Sequence, residues 1–168
     1  MVYHISERME EKIFMKKKTL LSLVSVVLGA AVYLTCLLPA ISYKVSSVLG
    51  GSETETVTFY KMFDSDFGMG IAIMILLSVG VVALIAGLVV DYLKANKKIS
   101  LLANALGALL LVVAGVLFFF VTNGYELNGS LVLVEVKTSL GFGAIISAIL
   151  AILGGAVAGY NAFLQLKK

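Results

Sequence analysis

The sequence predicts an all-α membrane protein, a four-transmembrane-helix bundle with a small extracytoplasmic β-sheet from two outer loops. Its mean hydropathy is +1.04, and 14% of its residues are charged, against about 25% in soluble domains. Every charge lies outside four uncharged stretches of 24 to 29 residues, and about 20 apolar residues of helix suffice to cross a bilayer core. These stretches are Thr19–Tyr43, Phe67–Val90, Ile99–Tyr125 and Thr138–Leu166.

The 168 residues form a single predicted membrane domain with spans at about 19–43, 67–90, 99–121 and 140–164. Lipid offers the backbone no hydrogen-bonding partner, so continuous apolar runs of this length are expected to be helices. The remaining segments are an N-terminal cytoplasmic tail at 1–18, outer loops at about 44–66 and 122–139, and an inner loop at 91–98.

The charges are sorted between the two predicted sides. Ten of the thirteen basic residues lie in the tail, the inner loop and the C-terminus, whereas six of the ten acidic residues lie in the outer loops. Because short basic loops stay in the cytoplasm, we expect a multi-pass protein of the plasma membrane with both termini cytoplasmic. Twelve lysines against one arginine indicate an AT-rich bacterial genome.

The first span begins like a signal peptide, with Lys16–Lys18 before a leucine-rich run. The uncharged run continues to Tyr43, far beyond the 7–15 residues of a signal-peptide core, which favours an uncleaved span. Pro39, near the outer end, predicts a kink or the exit of the chain. Residues 1–14 are expected to be optional; if present, they form a short surface helix or, as the alternative, a disordered tail.

Both outer loops carry signals of β-structure. In the first, Lys44–Leu49 and Val57–Phe63 flank the glycine-rich turn Gly50–Ser52, which predicts a hairpin. In the second, the turn dipeptide Asn128-Gly129 precedes a predicted strand at Ser130–Lys137. Three antiparallel strands resting on a helix bundle form a stable sheet, whereas an isolated hairpin is marginal.

This layout resembles the claudin-like tetraspan architecture: four spans, inside termini, a longer β-rich first outer loop and a shorter second loop with one strand. The claudin loop signature contains tryptophans and two cysteines, whereas this chain has no Trp and one Cys, Cys36, in the first span. The resemblance implies a left-handed four-helix bundle with a small sheet on top, and it assigns no role to any residue.

The fourth span carries a row of five small residues at a spacing of four. Small side chains let helix backbones approach closely in lipid. The row therefore predicts a helix-packing surface, either against a neighbouring span of the same chain or against a second copy or partner helix. Its members are Gly143, Ser147, Ala151, Gly155 and Gly159.

The sequence offers few groups for chemistry. The strongest polar groups in the spans are Asn104 and Asn161, which we expect to cap a helix or bond a neighbouring one. With one histidine, His4, and one cysteine, we expect no catalytic, cofactor or metal site and no enzymatic activity. The carboxylates of Asp64 and Asp66 are expected to cap the second helix, with weak cation contact as the alternative.

An aromatic and acidic segment of the first outer loop is the candidate recognition surface, and its residues are Phe59, Tyr60, Phe63, Asp64 and Asp66. An aromatic belt at the membrane interface is the alternative interpretation. The expected function is non-enzymatic, acting through contacts as an accessory subunit, scaffold or sensor. The expected partners are the lipid bilayer and a membrane protein or second copy, not nucleic acid. A small passive channel or solute transporter, perhaps oligomeric, is the alternative function.

Overall fold

The computed structural model describes residues 2–47, 51–65, 68–93, 96–124 and 134–167. The four α-helices are α1 (Val2–Thr35), α2 (Gly68–Tyr92), α3 (Lys97–Phe119) and α4 (Phe142–Leu166). The three strands are β1 (Pro39–Ser47), β2 (Gly51–Thr58) and β3 (Val134–Leu140). Two short 3-10 helices cover Tyr60–Ser65 and Val121–Gly124.

The helices form a ring in which α1 packs on α2 and α4, and α3 packs on the same two helices. Four helical segments are long and apolar enough to cross a membrane, namely Lys17–Thr35 of α1 and the whole of α2, α3 and α4. Their outward faces expose large aliphatic side chains such as Val82, Leu102 and Leu109. These four apolar helices fit a tetraspan-like multi-pass architecture.

The interior of the bundle combines large side chains from α2 and α3 with small ones from α4. Alanines on α4 let the neighbouring backbones come close, and the larger residues fill the centre. The fully buried members of this core include Ile73, Leu77, Leu84, Leu111, Phe118, Ala144, Ala148, Ala151 and Ala158.

The three strands form one antiparallel sheet in the order β2-β1-β3. The sheet lies at the end of the bundle where α1 stops and α4 starts, called here the sheet end. Its attachment is at the base of β1, where Ile41 is fully buried. The Gly141 amide, just before α4, donates to the Ala40 carbonyl at 2.8 Å and joins the sheet to the helix.

The first span is shorter than the sequence indicated. α1 ends at Thr35, and β1 begins at Pro39, so residues 39–43 belong to the sheet rather than to the helix. Ala40 and Ile41 are apolar because the sheet base is buried against the bundle. Hydropathy reports burial and does not distinguish a buried strand from a span. At the other end of α1, the helix starts at Val2 and continues without a break through the predicted tail.

The predicted β-hairpin in the first outer loop is confirmed, because β1 and β2 pair antiparallel. The residues at which its strands begin and end differ from the prediction. β2 is Gly51–Thr58, and the predicted strand residues from Tyr60 onward form a 3-10 helix instead. The misplaced segment is Glu53–Thr56, whose polar sequence reads as a loop. β3 confirms a strand in the second loop; the turn dipeptide Asn128-Gly129 lies outside the described residues.

Candidate functional site

The row of small residues on α4 changes partner along the helix. At the sheet end it meets the turn that follows α1: a Cβ on Gly143 would come within 2.7 Å of the Leu38 carbonyl oxygen. One turn later the Ser147 and Thr35 hydroxyl oxygens are 2.7 Å apart. Four residues advance about 40° around a helix, so the row does not stay against α1.

Further along, the same row meets α3. A Cβ on Gly155 would come within 2.8 Å of the Ala108 carbonyl oxygen and 2.7 Å of a Val112 methyl carbon. At Gly159 the approach has relaxed to 3.8 Å from the Ala108 Cβ. Ala151, between the two contacts, is fully buried. The row is thus used for packing within the chain, by two neighbouring helices in turn.

The contact between α3 and α4 also depends on a glycine that sequence reasoning did not single out. A Cβ on Gly115 would come within 2.7 Å of an Ile152 side-chain carbon and 3.1 Å of the Ala148 carbonyl oxygen. Gly115 and Gly155 lie one on each helix, and each admits the other helix's backbone. A small residue on α3 facing a small-residue row on α4 is the signal that could have found it.

Phe59, predicted to lie on a recognition surface, is instead part of the core. Its side chain is 1% exposed, and its ring meets the Phe118 ring edge-on with centroids 4.9 Å apart. Burying an aromatic side chain stabilises the fold more than leaving it on the surface. Phe59 therefore anchors the segment after β2 to α3 and is not available to a partner.

Of the other residues predicted to form this surface, one has an exposed side chain, and the side chains of the rest are not described. Tyr60 is 40% exposed, and its hydroxyl donates to the Tyr33 carbonyl at 3.3 Å. Burial raises the pKa of Tyr60 above its ordinary value, and Cys36 and Tyr33 add to the rise. Phe63 and Asp64 lie in the 3-10 helix, where only the backbone is described. Asp66 lies outside the described residues, so its predicted capping role stays a prediction.

The two faces of the sheet differ in chemistry. Strand register places Lys44 opposite Thr54 on β2 and Lys137 on β3, with Ser42 opposite Thr56 and Ser139. Successive residues of a strand point to opposite faces, so these hydroxyls and lysines share one side, called here the polar face. Its described members are Ser42, Lys44, Thr54, Thr56, Lys137 and Ser139. The reverse side holds Ile41, Tyr43, Glu55, Val57, Thr138 and Leu140.

The sheet is covered only at its base. On the reverse side, Val57 and Leu140 pack against the bundle core, whereas on β2 four consecutive residues, Glu53–Thr56, are all exposed. Consecutive exposure means that neither face of this part of β2 rests on the bundle. The Tyr43 hydroxyl donates to Glu55 and ties β1 to β2 in this uncovered region.

The opposite end of the bundle, called here the Asp91 end, holds a network of polar side chains from all four helices. At its centre is Asp91, in the last turn of α2. It accepts hydrogen bonds from Ser22 of α1 at 3.1 Å, Ser100 of α3 at 2.5 Å and Gln165 of α4 at 3.5 Å. Sequence reasoning assigned Asp91 to the inner loop, whereas the structure includes it in α2 and in the contacts between helices.

Two asparagines extend this network into the bundle. The Asn161 amide donates to the Ser22 hydroxyl at 2.7 Å, and the Asn104 amide donates to the Ser100 carbonyl at 3.0 Å. Both asparagines are fully buried. This agrees with the expected bonding between neighbouring helices for Asn161, whereas Asn104 bonds within α3. The term Asp91 cluster is used below for Ser22, Asp91, Ser100, Asn104, Asn161 and Gln165.

The Asp91 cluster has two unsatisfied groups, the side-chain oxygens Asn104 Oδ1 and Asn161 Oδ1. A buried acceptor without a partner costs about 1–3 kcal/mol of stability. The cluster also had a sequence signal. Ser100 and Asn104, and Asn161 and Gln165, are pairs at a spacing of four, near the same end of their spans as Asp91. Among the residues that the structure describes, no three or more His, Cys, Asp or Glu side chains gather as a metal site.

No family model matches the chain, and the comparison with curated proteins gives no match either.

Proposed function

We propose that this chain is a non-enzymatic integral membrane protein that acts through contacts with protein or lipid, as an accessory subunit, scaffold or sensor. The observation that carries the proposal is the sheet. Its base is fixed to the bundle through Ile41 and Phe59, while Glu53–Thr56 of β2 are exposed on both faces. A strand that is anchored at its base and exposed on both faces can bind a partner, and such binding requires no catalytic group.

In this proposal the sheet lies outside the cell and the Asp91 end faces the cytoplasm. The lysines near the Asp91 end support this orientation, because short basic segments stay on the cytoplasmic side. Lys97, Lys98 and Lys167 are all exposed there. The host is proposed to be a bacterium and the location its plasma membrane, with both termini in the cytoplasm. The architecture proposed for it is claudin-like, with a sheet of two outer loops above four helices.

The polar face of the sheet is the proposed contact surface. Lys44 is exposed, as are Thr54 and Thr56 opposite it and beside it on β2. These side chains offer hydrogen-bond donors and positive charge, which fit an acidic or hydroxyl-rich partner surface. β2 is also an edge strand in the order β2-β1-β3, and an edge strand can add a strand from a partner.

A photo-crosslinking experiment in the native membrane tests the proposal. A photoreactive amino acid replaces Thr54 on the polar face in one variant and Val82 on the outward face of α2 in a matched control. We expect Thr54 to give a discrete adduct with protein or lipid headgroup, while Val82 gives lipid-chain adducts. Lys44→Glu, which reverses the charge opposite Thr54, should abolish the Thr54 adduct and leave the Val82 adducts unchanged.

The contrary outcome is equally clear. If Thr54 forms no adduct and the tagged chain purifies from native membrane without protein or specific lipid, the contact proposal fails. A Thr54 adduct that survives Lys44→Glu would show that the positive charge of Lys44 does not contribute to the contact.

A small passive channel or solute transporter is the second candidate, and the Asp91 cluster is the observation that favours it. Polar side chains from four helices meet there, and an ionisable residue within a helix bundle can mark an ion pathway. The fully buried Leu77, Leu84 and Leu111 fill the bundle beyond the cluster, which disfavours a continuous path in one copy. Flux assays in reconstituted vesicles decide, and flux no greater than that of empty vesicles removes this candidate.

A further inference from the structure

The Asp91 cluster has more hydrogen-bond acceptors than donors. Ser22 has a single hydroxyl proton, and it goes to Asp91 Oδ2. Asn161 must therefore turn its NH₂ group toward Ser22, which leaves Asn161 Oδ1 without a donor. The Asn104 NH₂ group likewise faces the Ser100 carbonyl, which can only accept, and leaves Asn104 Oδ1 without a donor. Turning either amide would break an existing hydrogen bond.

Each of these asparagines is linked to Asp91 through one serine. Asn161 reaches Asp91 through the Ser22 hydroxyl, 2.7 Å from one and 3.1 Å from the other. Asn104 reaches it through the Ser100 hydroxyl, at 3.3 Å and 2.5 Å. The two orphaned oxygens thus belong to side chains of one hydrogen-bonded set centred on Asp91.

The electrostatics of the cluster favour a cation. The described partners of Asp91 are two hydroxyls and one amide, all of them neutral. Asp91 and Gln165 lie in the last turns of α2 and α4, where the helix dipole adds negative potential, and Ser100 lies in the first turn of α3, where the dipole offsets part of it. A carboxylate, two unpaired amide oxygens and two helix C-termini all attract positive charge.

We propose that the Asp91 cluster binds a small monovalent cation, with Na⁺ as the ion that fits best. All of its ligand atoms are oxygens, which suits hard cations. It supplies one carboxylate, so a single positive charge is matched, whereas calcium sites provide more oxygen ligands and usually several carboxylates. Carboxylate, amide and hydroxyl oxygens are hard ligands, and Na⁺ is smaller and harder than K⁺, so Na⁺ is the cation proposed.

The test is thermal unfolding of the purified full-length chain in detergent. The melting temperature is measured in sodium, potassium and N-methylglucamine chloride at equal ionic strength. Ligand binding to the folded state raises the melting temperature, so we expect a saturable increase of roughly 5 °C with Na⁺ and less with K⁺, relative to N-methylglucamine. Equal melting temperatures in the three salts would overturn the proposal and assign the orphaned oxygens to buried water.

Variants locate the ion. Asp91→Asn removes the charge and should abolish the Na⁺ response, whereas Glu53→Gln makes the same change on the exposed sheet and should preserve it. A Na⁺ response that persists in Asp91→Asn would place the ion elsewhere and refute the site.

Asn104→Leu keeps the test decisive if Asp91→Asn does not fold. It removes one unpartnered oxygen at nearly constant volume, so we expect a folded protein with at least the wild-type melting temperature in N-methylglucamine. Its Na⁺ response should fall by more than half. An unchanged response would exclude Asn104 as a ligand and contradict the proposed site.

Discussion

At the scale of single residues, Gly155 sets the distance between α3 and α4. A methyl group there would lie 2.8 Å from the Ala108 carbonyl oxygen, a backbone atom that cannot move aside on its own. We expect Gly155→Ala to destabilise the protein by about 1–3 kcal/mol, as overpacking does. Gly155→Leu should be worse, with a lower melting temperature in detergent as the readout.

Gly159, the next residue of the same row, is the matched control. Its added methyl would lie 3.8 Å from the Ala108 Cβ, an ordinary contact. Alanine is favoured over glycine in a helix by about 1 kcal/mol, so Gly159→Ala should be neutral or stabilising. Equal losses in both variants would contradict this account, because helix propensity favours alanine at both positions and only Gly155 has a close approach to relieve.

At the scale of elements, the helices could be predicted from the sequence and the end of α1 could not. Charge segregation marks a span well because a charge in lipid is costly, whatever the details of packing. Leu37, Leu38 and Ile41 continue the apolar run of α1, yet they belong to the turn and to β1. The sequence signal was Pro39, which was expected to mark a kink or the exit of the chain and which starts β1. β2 was misplaced because Glu53–Thr56 lack the alternating apolar pattern that a covered strand shows.

Ile41 fixes the sheet to the bundle. It is fully buried at the base of β1, between Val57 of β2 and Leu140 of β3 in the strand register. Removing a buried aliphatic side chain costs about 2–5 kcal/mol, so Ile41→Ala should lower the free energy of unfolding by that amount. Because the helices contact one another independently of β1, we expect the helical circular dichroism signal of the folded protein to be unchanged.

Ser42→Ala is the control for this element. Ser42 neighbours Ile41 but lies on the polar face and is half-buried, and substitutions at such positions usually change stability by less than about 0.5 kcal/mol. If Ser42→Ala lowered the free energy of unfolding as much as Ile41→Ala, the polar face would be needed for folding. The proposed contact surface would then need revision.

At the scale of the whole molecule, the bundle separates two kinds of surface. The sheet end is polar and uncovered, and the Asp91 end combines basic residues with a buried polar network. The row on α4 was predicted from its spacing, because close packing leaves a periodic trace in one helix. The Asp91 cluster was not predicted, because its six residues come from four helices and only the fold brings them together. The rule that spans lack charge also placed Asp91 in a loop, although it lies one residue before the end of α2.

The two ends should be accessible from opposite sides of the membrane. In a Cys36→Ser background, single cysteines replace Glu53 at the sheet end and Lys97 at the Asp91 end, both exposed. Helices of 23 to 25 residues separate these ends by about 35 Å at 1.5 Å per residue, enough to span a bilayer. A membrane-impermeant maleimide should label Glu53→Cys in intact cells and label Lys97→Cys only after permeabilisation. Lys167→Cys, at the end of α4, should behave like Lys97→Cys; labelling of all three from outside would refute a transmembrane bundle in this orientation.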